Sequence, residues 1–116
     1  MSIERLQKGP RMSQAVKHGG TIYLAGQVAL GAKGGSAADQ TRNILDRIDA
    51  LLAEAGSNKS KLLSATIWLA DIALFNEMNQ VWDGWIDPEN PPTRACVESK
   101  LAAPDFTVEI AVIAAA

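Results

Sequence analysis

The chain has 116 residues, of which 47% are hydrophobic and 21% charged, and its formal net charge is −2. This length and apolar content suit one globular domain over residues 1–116, able to bury roughly two-thirds of its unfolded surface, and they exclude a disordered chain. The slightly acidic balance and the lack of a Lys/Arg run weigh against nucleic acid as the main partner.

Cysteine and histidine are nearly absent, which limits the chemistry that the chain can perform. Cys96 is the only cysteine, so no intramolecular disulfide can form, and His18 is the only histidine. Metal ligation is therefore poorly supported. The N-terminal segment MSIERLQKGP does not resemble a signal peptide, and no apolar run reaches the length of a membrane span. We expect a cytoplasmic protein without a membrane partner.

Two strands and a turn are predicted first along the chain. A short strand at residues 13–17 is followed by Gly19-Gly20, which suits a hairpin turn, and by the β-rich run TIYLAGQVAL at 21–30. A helix is predicted next, with Ser36 as its N-cap and Gly56 after its end. Its apolar residues recur at spacings of three and four: Ile44, Leu45, Ile48, Leu51 and Leu52.

The second half is expected to alternate between strand and helix. A strand is predicted over 61–70. It is followed by a helix that Asp71 could cap and that ends before Pro88. Two further strands are predicted over 93–100 and 106–115. The expected order is close to β-β-β-α-β-α-β-β, an α+β fold with a mixed sheet of about six strands and both helices on one face. The opposite face would need another cover, which favours an oligomer.

Arg94, Cys96 and Glu98 fall on one face of the predicted strand 93–100. The guanidinium of Arg94 suits bidentate binding of a carboxylate, and the alternative is an edge arginine paired with a surface acid. Glu109 lies in the most apolar strand, where it could hold or activate a water or form an ion pair with Arg94 or Lys100.

Two further side chains are candidates with ordinary alternatives. Cys96 lacks an evident histidine partner, so it suits a small space-filling residue better than a nucleophile. Asn79 lies beside the apolar stripe of the second helix and could contact a ligand or remain solvated.

Several segments, taken in order, resemble the reactive intermediate deaminase family, also called YjgF-like or endoribonuclease L-PSP. They are SQAV (13–16), TIYLAGQVAL (21–30), PPTRACVE (91–98) and FTVEIAVIA (106–114), and the pattern P-x-R-x-x-V-E followed by V-E-I is the most specific of them. GSNKSKLLSATIWLAD and MNQVWDGW resemble the small YoaB-type branch.

The resemblance implies a chorismate-mutase-like α+β fold assembled as a homotrimer, with clefts between subunits. In deaminase members, the residue matching Arg94 grips the carboxylate of a 2-imino or 2-enamino acid, and the one matching Glu109 positions the attacking water. The residue matching Cys96 lends its backbone to the site, and the one matching Asn79 lines it. The products are a 2-oxo acid and ammonia, and neither a metal nor an organic cofactor is required.

Two positions depart from the family pattern. Met12-Ser13-Gln14 stands where many deaminase members have Tyr-Ser-Gln, and Ala25-Gly26-Gln27 stands for Ser-Gly-Gln. Two substrate-binding hydroxyls are thus missing, at Met12 and Ala25. We still expect imine deamination of a small carboxylate-bearing substrate. The alternatives are a non-catalytic trimer that binds small carboxylates such as 2-oxo acids, and the ribonuclease of the family's older name, which the acidic charge disfavours.

Overall fold

The computed structural model describes residues 2–116 as seven strands and two α-helices, joined by short 3₁₀ turns. The strands are β1 Glu4–Leu6, β2 Ala15–His18, β3 Thr21–Leu24, β4 Gln27–Val28, β5 Leu62–Leu69, β6 Thr93–Glu98 and β7 Val108–Ala115; the helices are α1 Ala37–Glu54 and α2 Phe75–Trp85. No helix in this part of the chain has both the length and the apolar character needed to cross a bilayer.

All strands belong to one mixed sheet in the order β1-β2-β3-β7-β5-β6, with β4 paired to β7. Only β5 and β6 run parallel, and α2 connects them. The predicted mixed α+β sheet of about six strands is confirmed; it has seven strands, of which the three-residue β1 is too short to show alternation in the sequence. The predicted single strand over 21–30 was wrong, since the chain breaks at Ala25-Gly26 into β3 and β4.

Helix α1 forms as the sequence predicts. Ser36 is its N-cap and accepts a hydrogen bond from the Asp39 amide at 3.1 Å, while Gly56 follows its end at φ 83°. This left-handed conformation suits glycine because the residue has no Cβ. Asp71 caps the 3₁₀ turn Ile72–Leu74 instead of α2, which begins directly after that turn.

The two faces of the sheet differ in what covers them. Alternate residues of β5 and β7, such as Ile67 and Ile110, are fully buried beneath the two helices, which confirms that both helices lie on one face. The residues between them point to the other face, which we call the open face. It carries partly exposed apolar side chains, including Trp68, Ile113 and Tyr23, the last 47% exposed.

Candidate functional site

Arg94 lies on the edge strand β6 and is held by residues of α2. Its Nη1 donates a hydrogen bond to Asn79 Oδ1 at 2.6 Å. The guanidinium carbon lies 5.4 Å from the ring centre of Trp82 and 5.7 Å from that of Phe75, within the range of cation–π attraction. Phe75, Asn79 and Trp82 follow the spacing i, i+4, i+7, so one face of α2 supplies all three contacts.

This arrangement fixes the Arg94 guanidinium while leaving it accessible. Arg94 is exposed and forms no ion pair with any carboxylate among residues 2–116. The predicted alternative of an edge arginine paired with a surface acid is therefore not what the chain adopts. An oriented, unpaired guanidinium with donors to spare is suited to binding a carboxylate in bidentate fashion.

Cys96 lies two residues beyond Arg94 on the same face of β6, beside the buried Ile67 of β5. Burial raises the pKa of its thiol, and the neighbouring Arg94 charge opposes this effect. The thiol is thus kept protonated at neutral pH, which does not suit a nucleophile. His18 is exposed at the far side of the sheet, on β2, with its Nδ1 3.3 Å from the Ser2 carbonyl oxygen.

Glu109 lies on β7 between the fully buried Val108 and Ile110, and its side chain points to the open face beside Trp68. Burial raises the pKa of its carboxyl group. No cation forms an ion pair with it among the described residues, so the predicted partners Arg94 and Lys100 do not pair with it within the chain. An unpaired, half-buried carboxylate with a raised pKa is a better proton acceptor near neutral pH than an ordinary one.

The Glu109 carboxylate occupies space that exists because residue 26 has no side chain. A Cβ at Gly26 would collide with Glu109 Oε2 and would lie 3.1 Å from Cδ. Ala25, a predicted substrate-binding position, is the neighbour of this glycine at the break between β3 and β4. Residue 25 and Glu109 therefore lie in one region of the open face.

A buried glutamine fixes the backbone at this break. Gln27 is 2% exposed, and its Nε2 donates to Ala25 O at 3.0 Å and to Gln14 Oε1 at 2.9 Å. Arg47 Nε donates in turn to Gln27 Oε1 at 3.3 Å. These bonds hold the Ala25-Gly26 segment against α1 and thereby fix the position of Gly26 beside the Glu109 carboxylate.

The predicted site residues form two separate groups in one chain. Arg94, Cys96 and Asn79 lie on the helix-covered face, as the pairing of Arg94 with the buried Ala65 requires. Glu109 and Ala25 lie on the open face or beside it. Met12 belongs to an exposed loop and is 48% exposed.

Three contributors to this geometry were not predicted as site residues. Phe75 and Trp82 were assigned only to the apolar stripe of α2, although their spacing from Asn79 could have indicated a shared ligand. Gly26 was treated as part of a continuous strand. A glycine inside a strand pattern is a signal of a close approach by another group, and here that group is Glu109.

The chain matches the family model "Endoribonuclease L-PSP" over residues 3–116. A RutC family protein of Haemophilus influenzae is 46% identical over 98% of both chains, and the RutC family protein YoaB of Escherichia coli K12 is 42% identical over 99% of both. The crystal structure of NMB1025, a YjgF family member from Neisseria meningitidis, superposes with a TM-score of 0.96 at 43% identity, covering 99% of this chain and 95% of that one.

These matches agree with the mixed α+β fold. The chain belongs to the endoribonuclease L-PSP family, also called the YjgF or Rid family, and resembles its YoaB branch.

Proposed function

We propose that the protein hydrolyses reactive 2-imino and 2-enamino acids to 2-oxo acids and ammonia. The observation that carries this proposal is the state of Arg94, which is oriented by Asn79 and two aromatic rings yet has no acidic partner among residues 2–116. An oriented guanidinium without an acidic partner is free to form charge-assisted hydrogen bonds with an anionic ligand. The ligand that fits is a small carboxylate.

Glu109 supplies the second requirement of this reaction, a base for the attacking water. As the water oxygen bonds to C2 of the imine, Glu109 accepts a water proton. The C=N electron pair moves to the nitrogen, which takes this proton from Glu109 and gives a carbinolamine. Glu109 then removes the hydroxyl proton and returns it to the nitrogen as the C2–N bond breaks, which releases ammonia and leaves the 2-oxo acid. An enamine first takes a proton at C3 and becomes the imine. The electrophilic carbon needs mainly orientation and a placed water, so these two residues suffice for the step.

Because Arg94 and Glu109 lie on opposite faces of one sheet, they meet only if different subunits contribute them. The apolar open face and the exposed edge strand β6 both favour such an assembly. We therefore place the active site in a cleft between the subunits of a homotrimer, with Arg94 from one subunit and Glu109 from the next.

The activity can be tested with imines generated in situ by an amino-acid oxidase. The rate of 2-oxo acid release is compared with a no-protein control for the wild type, Arg94→Ala and the matched control Arg42→Ala, an exposed arginine paired with Asp39. Acceleration that is lost only in Arg94→Ala supports the proposal. If no imine is hydrolysed faster, the protein is better described as a carboxylate-binding trimer, and calorimetry with 2-oxo acids would test that alternative.

The shared cleft can be tested by mixing two inactive variants, Arg94→Ala and Glu109→Gln. Random reassembly of a closed three-membered ring would give about a quarter of the wild-type activity, because each mixed ring holds one cleft with both residues intact. No recovery in confirmed mixed oligomers would contradict a site built from two subunits. Ribonuclease activity, which the family name mentions, would have to arise in a chain of net charge −2, and it should not depend on Arg94.

A further inference from the structure

A hollow of about 360 Å³ lies at the end of the sheet where β7 begins. Lys100 is the only charged residue along its walls within the described chain. Small and apolar residues form most of the remaining surface: Ala70, Leu101, Ala103, Pro104 and Phe106. Its size and lining suit an apolar group of moderate size, because few polar groups there could replace the hydration of a charged one.

Thr107 connects this hollow to Glu109. It lines the hollow, and its carbonyl oxygen accepts a hydrogen bond from the Ala70 amide at 2.9 Å. Thr107 directly precedes β7, and if the alternation of the strand is continued by one residue it lies on the open face with Glu109, two residues further on. Two residues of a strand span about 7 Å, so a small molecule bound at Glu109 could extend into the hollow.

The hollow is held open by a buried glutamine on α1. Gln40 is fully buried, and its Nε2 donates to Asp105 O at 2.9 Å and to Gly35 O at 3.1 Å. Its Oε1 accepts from the Thr107 amide at 2.9 Å. These bonds tie the segment before β7 to the helix, so a ligand would not have to order the segment when it binds.

We propose that this hollow receives the side chain of the substrate, and that the protein prefers imino acids with apolar side chains of the size of leucine or phenylalanine. The inference rests on the proposed deaminase function and names its substrate class. An apolar side chain would be removed from water in the hollow, whereas an alanine-derived imine would leave it empty. A basic side chain would be repelled by Lys100, and an acidic one would lose hydration against the apolar walls.

The test compares kcat/KM for the imines of alanine, leucine, lysine and glutamate in wild type, Ala70→Leu and Ala53→Leu. Ala70 is an exposed residue whose enlargement fills the hollow, and Ala53 is an exposed alanine of α1 that serves as a matched control. The wild type and Ala53→Leu should favour the leucine imine by about tenfold or more over the other three. Ala70→Leu should lose this preference, seen as a fall in the ratio of kcat/KM for the leucine imine to that for the alanine imine.

The outcomes separate this inference from the proposed function. Hydrolysis of the alanine imine with no leucine preference, or with a preference that Ala70→Leu leaves unchanged, overturns the side-chain hollow alone. Equal loss for all imines in Ala70→Leu also overturns it, because filling a side-chain pocket should slow the leucine imine more than the alanine imine. Failure to hydrolyse any imine overturns both proposals. Thr107→Val keeps the shape of the side chain and removes a hydroxyl that is buried without a hydrogen-bond partner among the described residues, so it should retain the leucine preference, and loss of that preference would contradict apolar recognition.

Discussion

Replacing Gly26 with alanine should displace the Glu109 carboxylate without unfolding the protein. The new Cβ would overlap Oε2 and lie 3.1 Å from Cδ and 3.4 Å from Cγ. Non-bonded carbon atoms pack at about 3.5–4.0 Å, so the carboxylate must turn away about its side-chain torsions. The atom in conflict is the end of a flexible side chain, and the backbone of Gly26 is not in the left-handed region.

The expected changes in stability and in activity therefore differ in size. An off-rotamer glutamate costs about 0.5–1.5 kcal/mol, and a tolerated Gly→Ala change returns about 0.4–1 kcal/mol by restricting the unfolded chain. The free energy of unfolding should thus change by no more than about 1 kcal/mol. Loss of a positioned general base lowers the rate by about 10²–10⁴-fold, and kcat should fall within that range.

The assay measures kcat for imine hydrolysis, its pH dependence and the denaturant midpoint for Gly26→Ala, Glu109→Gln and the double variant. Gly84→Ala is the control, since a Cβ at that exposed helical position meets no atom within 4 Å. A carboxylate turned into solvent should have a lower pKa, which would move the acid limb of the Gly26→Ala profile to lower pH. If Gly26 acts through Glu109, the double variant is no slower than Glu109→Gln. Multiplied losses, or full activity in Gly26→Ala, would refute this reasoning.

Three other substitutions test the orientation of Arg94, the anchoring of the segment before β7 and the burial of Glu109. Asn79→Ala removes the 2.6 Å bond to the Arg94 guanidinium and should raise KM by about tenfold with little change in kcat; an unchanged KM would mean that the aromatic rings alone orient Arg94. Gln40→Leu leaves the Gly35 carbonyl and the Thr107 amide without their hydrogen-bond partner, while the Asp105 carbonyl keeps its bond from the Gly34 amide. The free energy of unfolding should fall by about 2 kcal/mol or more in a denaturant titration; a change within about 0.5 kcal/mol, the scatter of surface substitutions, would contradict this. Burial raises the pKa of Glu109, so ionisation of this carboxyl group opposes folding. As the pH rises above the ordinary pKa of 4.5, Glu109→Gln should therefore become more stable than the wild type. Below that pH the difference in stability should disappear. A loss of stability at neutral pH would instead reveal a cation paired with Glu109 in the assembled protein.

Periodicity in the sequence predicts the parts of this fold in which one face is buried along the whole element. The residues Ile44, Ile48 and Leu52 form a helical stripe, and all three are fully buried in α1. The alternation in 106–115 likewise predicts β7, which begins at Val108. Such patterns arise because burial repeats with the geometry of the element, so they survive in any sequence that folds this way.

The features that periodicity misses are those that depend on a distant contact. The break at Ala25-Gly26 interrupts a run of good strand formers, and the space beside Gly26 is occupied by the Glu109 carboxylate from a strand more than 80 residues later in the sequence. The short β1 exists because it pairs with β2, with Arg5 opposite Val16. Neither event leaves a local signal strong enough to predict where an element begins or ends.

The division of the site between two faces is the least predictable feature and the most informative one. Alternation assigns Arg94 to a face of β6 and Glu109 to a face of β7, but only the order β7-β5-β6 decides whether those faces coincide. Trp68 of β5 pairs with Glu109 of β7 and with Val97 of β6, so these three side chains share one face of the sheet. Arg94 is three residues before Val97 and therefore lies on the opposite face. A chain that keeps an oriented guanidinium and an unpaired carboxylate on opposite sides of one sheet cannot join them by a side-chain rotation. Assembly would then control catalysis directly, and dilution or an interface substitution that yields folded monomers should abolish hydrolysis while Arg94, Asn79 and their aromatic neighbours remain in place.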